Sequence, residues 1–186
     1  LYADLMSGGF ACAHNGNLTN ASALREKLVS RGSIFQSTSD TETILQLVAQ
    51  SERKQIVDKL IDALFQIHGA YSLVILTNKK LIGVRDPYGI RPLVLGDLNG
   101  APVLASETCA LDIIGAKFVR EIENGEIIII SEKGMESIRP FPKVAERPCI
   151  FERIYFSRPD SMLGGNTVYT YRKNLGIELA KEHYVD

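Results

Sequence analysis

Asn15 and Gly16 place a side-chain amide directly before a glycine, within the run AHNGN. The amide offers two N–H donors, and a ligand can approach the glycine N–H closely because no Cβ stands beside it. Two such donors side by side can hold the oxyanion of a tetrahedral acyl-transfer intermediate. Asn-Gly is also a leading turn dipeptide, so a tight turn is the ordinary interpretation of the same residues.

A second group of polar residues, STSDTE at 37–42, stands where a helical pattern begins. Ser39 and Glu42 have the spacing of a capping box, so helix capping is the ordinary interpretation. Asp40 offers a further one: a carboxylate at the start of a helix can pair with a substrate ammonium through a charge-assisted hydrogen bond. The same carboxylate would repel a phosphate, so this loop is not expected to cradle one.

The cysteines and histidines give no separate catalytic pattern. Cys12, Cys109 and Cys149 are too few and too widely spaced for a disulfide framework or a C-x-x-C zinc site. Cys12 and Cys109 lie in apolar runs and are predicted to be small core residues. His14 and His68 have no partner at metal or triad spacing, which favours structural roles.

Two loops contain arginines, and the spacing of these residues does not show what the arginines bind. The run RDPYGIRP at 85–92 reads as a turn between strands, and its Arg85 and Arg91 either grip an anion or stay solvated. The run YFSRPDS at 155–161 reads as the end of an aromatic strand followed by a proline turn. Pattern alone assigns it no chemistry.

Composition limits the classes of protein that these residues can serve. The chain has 186 residues, 45% of them hydrophobic and 23% charged, with a net charge of −1. This is globular composition without the basic excess that draws proteins to nucleic acid. No apolar run approaches the ~20 residues of a membrane helix, and the first residues lack a signal-peptide pattern. Few, scattered cysteines fit a reducing cytoplasm.

The periodicity of apolar residues predicts an α+β fold. Helix-like spacing comes first and strand-like runs follow consecutively, several of them apolar throughout, so we expect antiparallel sheets buried on both faces. The predicted helices cover 18–31, 39–48, 56–68, 108–114 and 171–183. The predicted strands cover 10–13, 70–77, 81–85, 92–96, 102–105, 126–131, 135–138 and 152–156, with an Asn99-Gly100 hairpin turn and a proline-rich loop at 139–148.

The order and spacing of these segments together resemble the glutamine phosphoribosylpyrophosphate amidotransferase (amidophosphoribosyltransferase) family over essentially the whole chain. The resemblance is carried by AHNGNLTNASALREKL, STSDTETILQLV, GAYSLVILTNKKLIGVRDPYGIRPLVLG, SETCALDIIGAKFVREIENGE and CIFERIYFSRPDS. HNG followed by SDTE is shared by the wider class of N-terminal-nucleophile glutamine amidotransferases. RDPYGIRPL and YFSRPDS resemble the phosphoribosyl enzymes in particular.

The resemblance implies an N-terminal-nucleophile hydrolase fold, a four-layer αββα sandwich that is incomplete in this chain. Residues 1–145 would form part of the glutamine amidotransferase domain, and 146–186 the linker and the start of a phosphoribosyltransferase domain. By the same resemblance, Asn15 and Gly16 form the oxyanion hole, and Asp40 binds the glutamine ammonium. His14 and Ser39 are implied as further substrate-binding residues, and Tyr169 as a residue of interdomain coupling.

In that family an N-terminal Cys, whose own α-amino group serves as base, attacks the glutamine carboxamide. Leu1 is not this residue, and the G-H-x-R-Y segment that binds the glutamine carboxylate is also missing. We therefore expect a fragment that has an oxyanion hole and an ammonium site, and that releases no ammonia by itself. The ammonia of the whole enzyme would convert phosphoribosylpyrophosphate to 5-phosphoribosylamine, the first step of de novo purine synthesis.

The resemblance also fixes expectations for cofactors and partners. No cofactor is expected in this chain, and Mg²⁺ is expected only in the transferase domain. Cys149 is a candidate iron–sulfur ligand of the parent protein, although one Cys cannot hold a four-thiolate cluster and a structural role is favoured. Glutamine, phosphoribosylpyrophosphate and further copies of the chain are the expected partners, with no nucleic acid and no membrane.

Two alternatives remain open at this point. One is the glutamine domain of a related aminotransferase, such as glucosamine-6-phosphate synthase, against which RDPYGIRPL and YFSRPDS argue. The other is a non-catalytic domain that keeps the fold to bind glutamine or to mediate assembly, and the missing nucleophile motivates it.

Overall fold

The computed structural model describes residues 1–184. Its helices are α1 (Ala21–Ser30), α2 (Asp40–Gln50), α3 (Ile56–Leu64), α4 (Thr108–Ile114) and α5 (Val168–Glu182). Its strands are β1 (Tyr2–Leu5), β2 (Gly8–Leu18), β3 (Gly69–Thr77), β4 (Lys80–Arg85), β5 (Val94–Leu98), β6 (Ala101–Ala105), β7 (Lys117–Glu121), β8 (Ile127–Ser131), β9 (Gly134–Ile138), β10 (Met162–Leu163) and β11 (Asn166–Thr167). No helix in this part of the chain is long and apolar enough to cross a bilayer.

The strands form two main sheets in which all neighbours are antiparallel. The larger sheet has the order β1-β2-β3-β4-β8-β9, and the smaller one has the order β6-β5-β7. β10 and β11 form a separate short hairpin. This topology confirms the expected α+β class with antiparallel pairing.

The run of isoleucines in β8 shows how the layers are built. Successive side chains of a strand point to opposite faces. Ile127 and Ile129 accordingly join the core beneath α1, α2 and α3, while Ile128 and Ile130 join the core between the two sheets. A strand that is apolar throughout is therefore buried on both faces, as its composition predicts.

A third core closes the far side of the smaller sheet. Val94 of β5 packs there with Leu111 of α4, whereas its neighbour Leu95 faces the core between the sheets. The order of layers is thus helices, six-stranded sheet, three-stranded sheet, helix. This is the αββα arrangement that the resemblance implies.

Several local features differ from the prediction. β1 and β7 were not predicted, because both are short strands with exposed apolar positions. The two-residue strands β10 and β11 were not predicted either. Leu18, predicted as the first apolar position of α1, is the last residue of β2. Residues 152–156 form a π-helical turn, Glu152–Phe156, rather than a strand.

A further difference concerns Asn15 and Gly16, which do not form a tight turn. Both lie inside β2, where Asn15 is opposite Ser72 and Gly16 is opposite Tyr71 of β3. Asn-Gly is frequent in turns because both residues tolerate the left-handed backbone conformation that many turns require. Here pairing with a distant strand decides its conformation instead.

The arginines of the 85–92 loop bind groups of the protein itself, including the carboxylates of Glu121 and Glu152. The guanidinium of Arg85 donates to the carbonyls of Arg91, Ile122 and Gly89 at 3.0, 2.7 and 3.5 Å. The fully buried Asp86 accepts from the backbone N–H groups of residues 88, 90 and 91. The Asp86 carboxylate therefore holds the RDPYGIRP loop through hydrogen bonds to the backbone of the loop itself.

Glu126 joins the two sheets through a fully buried carboxylate. It accepts hydrogen bonds from Arg120 of β7 at 2.6 and 2.8 Å, from Ser137 of β9 at 2.7 Å and from the N–H of Glu123 at 2.7 Å. Burial by itself would raise the pKa of Glu126, but these donors lower it to about 2. Its charged form is thus stabilised in the folded state.

We expect Glu126→Gln to lower the free energy of unfolding at neutral pH by about 3 kcal/mol, because it leaves Arg120 without its buried partner. The pKa of Glu126 is about 2 in the folded state against 4.5 ordinarily. A depressed acid pKa stabilises the fold above its unfolded value, and this contribution disappears as the pH falls from about 5 towards 2. Urea unfolding of both forms across this range measures it.

Glu136→Gln is the matched control, since Glu136 lies exposed on the neighbouring strand β9. It should change the free energy of unfolding by less than about 0.5 kcal/mol. Equal losses in the two variants, or a Glu126 effect that is the same at every pH, would contradict the assignment.

Candidate functional site

The candidate site is the open edge of β2. β1 pairs with β2 only from Gly8 to Ala11, and one further pair of backbone hydrogen bonds joins Leu1 and Cys12. Within residues 1–184, no strand covers that edge from position 13 to position 18. An uncovered strand edge presents backbone N–H and C=O groups that can bind a ligand.

The direction of the Gly16 N–H follows from its neighbours. The N–H of Cys12 donates to Leu1 O at 2.8 Å, and the N–H of Leu18 donates to Asp40 Oδ2 at 2.9 Å, so both point away from β3. In an antiparallel pair, residues two apart direct their N–H groups to the same edge. The N–H of Gly16, midway between His14 and Leu18, therefore points to the open edge.

Gly16 is required at its position for two reasons. Its φ is +153°, a conformation that L residues rarely adopt. A Cβ there would stand 2.0 Å from Ala70 O and 2.8 Å from His14 Nε2. The neighbours that require a glycine here are thus protein atoms, and the approach of a ligand to the Gly16 N–H stays a prediction.

Asp40 is held against the same edge. Besides the bond from Leu18 N–H, its Oδ1 lies 3.5 Å from Nδ1 of His14. The His14 side chain is almost completely buried, and the same nitrogen lies 3.2 Å from Thr41 Oγ1. About a quarter of the Asp40 side chain is exposed, so its carboxylate remains accessible to a ligand.

The loop before α2 is organised by Glu42. Its carboxylate accepts from the N–H groups of Gln36 and Ser37 at 2.7 and 2.8 Å and from the Ser37 hydroxyl at 2.7 Å. Although burial alone would raise the pKa of Glu42, these hydrogen bonds lower it. The predicted capping box is thus half formed: Ser39 accepts from Thr41 N–H at 3.3 Å, but Glu42 holds the preceding loop instead of Ser39.

Asn15 completes the group of polar residues along the edge. It is exposed, and its side-chain amide has no hydrogen-bond partner within the described chain. Strand alternation turns its side chain to the opposite face of the sheet from His14. The Asn15 amide and the Gly16 N–H are therefore two donors without a partner in the described chain, and both belong to the strand whose Leu18 N–H holds Asp40.

Cys12 and Cys109 are not presented as nucleophiles, because both are buried. Burial raises the pKa of Cys12 to about 12, against a small opposing effect of the nearby N-terminal charge. Burial also raises the pKa of Cys109. A buried thiol with a raised pKa is inert. The burial of Cys12 and Cys109 confirms the prediction that both are core residues.

Cys149 and Tyr169 lie apart from the strand edge. Cys149 is half-buried and lines a cavity of about 630 Å³ beneath the 139–148 loop. It supplies one thiol where an iron–sulfur cluster needs four, and no three metal-ligating side chains come together among residues 1–184. Tyr169, 62% exposed in the first turn of α5, makes no described hydrogen bond to the edge residues.

Two contributors to the site were missed by the sequence reasoning. Glu42 was predicted only as a capping residue, and the N–H of Leu18, which fixes Asp40, was assigned to a helix. The Ser39–Glu42 spacing marked Glu42 only as a capping residue and did not indicate its hydrogen bonds to Gln36 and Ser37. Nothing in the sequence pattern connects Leu18 with Asp40, because their contact depends on how α2 meets β2.

Comparisons with known proteins agree on a family. A family model described as "Glutamine amidotransferase domain" matches residues 4–112. The chain is 54% identical to an amidophosphoribosyltransferase of Rhizobium etli and 44% identical to one of Bacillus subtilis, matching all of this chain and 38% and 39% of those proteins. The chain thus spans well under half the length of these relatives.

Solved structures show the same likeness. Glutamine phosphoribosylpyrophosphate amidotransferase from B. subtilis, complexed with ADP and GMP, superposes with a TM-score of 0.96 at 44% identity, over 100% of this chain and 41% of that chain. A glutamine aminotransferase class-II domain protein from Silicibacter pomeroyi has a TM-score of 0.54 at 13% identity, over 72% of this chain and 67% of that one. The second likeness concerns the fold alone.

Proposed function

Since the chain belongs to the family of glutamine amidotransferase domains, we propose that it is the glutamine-hydrolysing part of an amidophosphoribosyltransferase. In this proposal glutamine is hydrolysed to glutamate and ammonia, and the ammonia displaces pyrophosphate from phosphoribosylpyrophosphate to give 5-phosphoribosylamine. The observation that carries it is the placement of Asn15, Gly16 and Asp40 along one open strand edge.

The chemistry of the edge follows from its charges. Attack of a thiolate on the glutamine carboxamide puts negative charge on the carbonyl oxygen, and the Asn15 amide and Gly16 N–H are donors for that oxygen. Collapse of this intermediate breaks the C–N bond and releases ammonia, and water then frees glutamate from the thioester. We propose that the attacking thiol is an N-terminal Cys of the whole protein, as the resemblance to the N-terminal-nucleophile amidotransferases implies; Cys12 and Cys109 are buried.

Asp40 would bind the α-ammonium of glutamine by a charge-assisted hydrogen bond. His14 and Ser39 support it from the protein side: His14 contacts its carboxylate, and Ser39 caps the helix that Asp40 begins. We therefore propose that these two residues contribute to glutamine binding mainly by positioning Asp40. Tyr169 as a coupling residue, and assembly of further copies of the chain, remain part of the proposal.

The proposal is tested with the protein carrying its natural flanking sequences. We expect glutamine-dependent amination of phosphoribosylpyrophosphate in the presence of Mg²⁺, and none of a hexose phosphate. Amination of the hexose phosphate would favour the related sugar-phosphate aminotransferases. Glutamine binding without hydrolysis would favour a non-catalytic domain. The isolated 186-residue chain should release no ammonia.

A further inference from the structure

Arg91 of the RDPYGIRP run forms a buried ion pair with Glu152, which lies three residues before the YFSRPDS run. Glu152 is 6% exposed and accepts from the guanidinium of Arg91 and from the Ser157 hydroxyl at 3.0 Å. The Arg91 guanidinium also lies 4.6 Å from the centre of the Phe156 ring. One arginine of the core thus holds both ends of the π-helical turn.

The backbone of Arg91 connects the ion pair with the strands of the candidate site. Its N–H donates to Asp86 Oδ2 at 3.3 Å, and the N–H of Asp86 donates to Tyr71 O at 2.9 Å. Tyr71 is the residue of β3 that lies opposite Gly16. Glu152 is therefore linked through the side chain and backbone of Arg91, and through Asp86, to Tyr71 of β3, the strand that pairs with β2.

The π-helical turn, which contains Glu152, also holds the beginning of α5. Arg172 of α5 donates to Arg153 O and to Ser157 O, both at 2.9 Å. The N–H of Tyr169 donates to Pro159 O at 2.8 Å. Movement of the π-helical turn would consequently shift α5, which is otherwise almost fully exposed.

A second anchor is independent of Arg91. Glu107, just before α4, accepts from the N–H of Arg158 at 2.9 Å and from the buried Ser161 hydroxyl at 2.6 Å. Loss of the Arg91–Glu152 pair therefore leaves the segment attached to the core. What changes is the position of the turn and of α5 relative to β3 and β2.

We propose that Arg91 and Glu152 are positioning residues that couple glutamine hydrolysis to the use of the ammonia. The proposal rests on the proposed function. Buried ion pairs contribute little net stability compared with apolar replacements, but their hydrogen bonds fix geometry. The pair sets the orientation of residues 152–172 towards the glutamine edge, so that ammonia reaches its acceptor instead of escaping to solvent.

The experiment measures the coupling ratio, defined as phosphoribosylamine formed per glutamine hydrolysed, in the whole protein at saturating substrates. In Arg91→Met we expect this ratio to fall about three- to tenfold, the range for residues in a coupling network. The kcat and KM of glutamine hydrolysis, and synthesis from added ammonia, should stay within about twofold of the parent protein. Arg91→Lys, which keeps the charge, should restore part of the ratio.

Arg53→Met is the matched control, because Arg53 pairs with Asp62 at 3.1 Å on the exposed surface near α3. It should leave the coupling ratio unchanged. If Arg91→Met does not fold, Glu152→Gln decides the same question, since it keeps the side-chain size and the contact to Ser157.

An unchanged ratio in folded variants, with only a lower melting temperature, would overturn the proposal and leave the proposed function intact. Absence of glutamine-dependent amination in the unmodified protein would instead contradict the proposed function. The two failures are therefore distinguishable in one set of assays.

Discussion

Replacement of Asn15 by alanine should lower kcat for glutamine hydrolysis by about a hundred- to a thousandfold in the whole protein, the scale for loss of one oxyanion donor. The reason is that the Asn15 amide is exposed at the open edge of β2 and has no partner in the described chain to occupy it. KM for glutamine should change little, since the charge on the oxygen develops only in the transition state. Steady-state ammonia release measures both constants.

Asn17→Ala provides the matched control, because Asn17 is also an exposed amide of β2, two residues along and of the same strand parity. Its removal should leave kcat within about threefold, since no oxyanion role falls on it. Comparable losses in the two variants would mean that the strand as a whole had been disturbed. An unchanged rate in Asn15→Ala would remove Asn15 from the oxyanion hole.

Replacement of Asp40 by asparagine should raise KM for glutamine about ten- to a hundredfold, the range for a lost hydrogen bond between charged groups. Asparagine keeps an oxygen that can accept the Leu18 N–H, so the helix start and strand edge should remain in place. kcat should fall much less than KM rises, because the ammonium is remote from the reacting carbonyl. Titration of glutamine in the steady state separates the two effects.

The control for this variant is Asp58→Asn, which also neutralises an acid in the first turn of a helix, α3, at an exposed position. It tests whether the higher KM of Asp40→Asn arises from a general loss of negative charge. A lower kcat at unchanged KM in Asp40→Asn would argue for a part in the chemical step and against ammonium binding.

Signals that act within a few residues predicted the structure well. The Ser39 cap places the start of α2 at Asp40, and the uniform isoleucines of 127–130 predict burial on both faces of β8. Helix α4 occupies the predicted range 108–114. In each case the relevant partner is a neighbour in sequence or the periodicity of one element, so local pattern contains the necessary information.

Features that depend on distant contacts were not predictable in the same way. Asn15 and Gly16 lie in a strand because β3 pairs with them, and Glu152–Phe156 turns helically where Glu152 meets Arg91, 61 residues earlier in the chain. The aromatic and β-branched composition of this segment favours a strand when taken alone. Residue types at the candidate site were identified, but their common edge became visible only in three dimensions.

The most direct test of the account is a crystal structure of the whole protein with bound L-glutamate, the product of the proposed hydrolysis. We expect one oxygen of its side-chain carboxylate about 3 Å from both the Gly16 nitrogen and the Asn15 amide nitrogen, with its ammonium at the Asp40 carboxylate. Glutamate bound away from β2, or bound there with its ammonium turned from Asp40, would contradict the account.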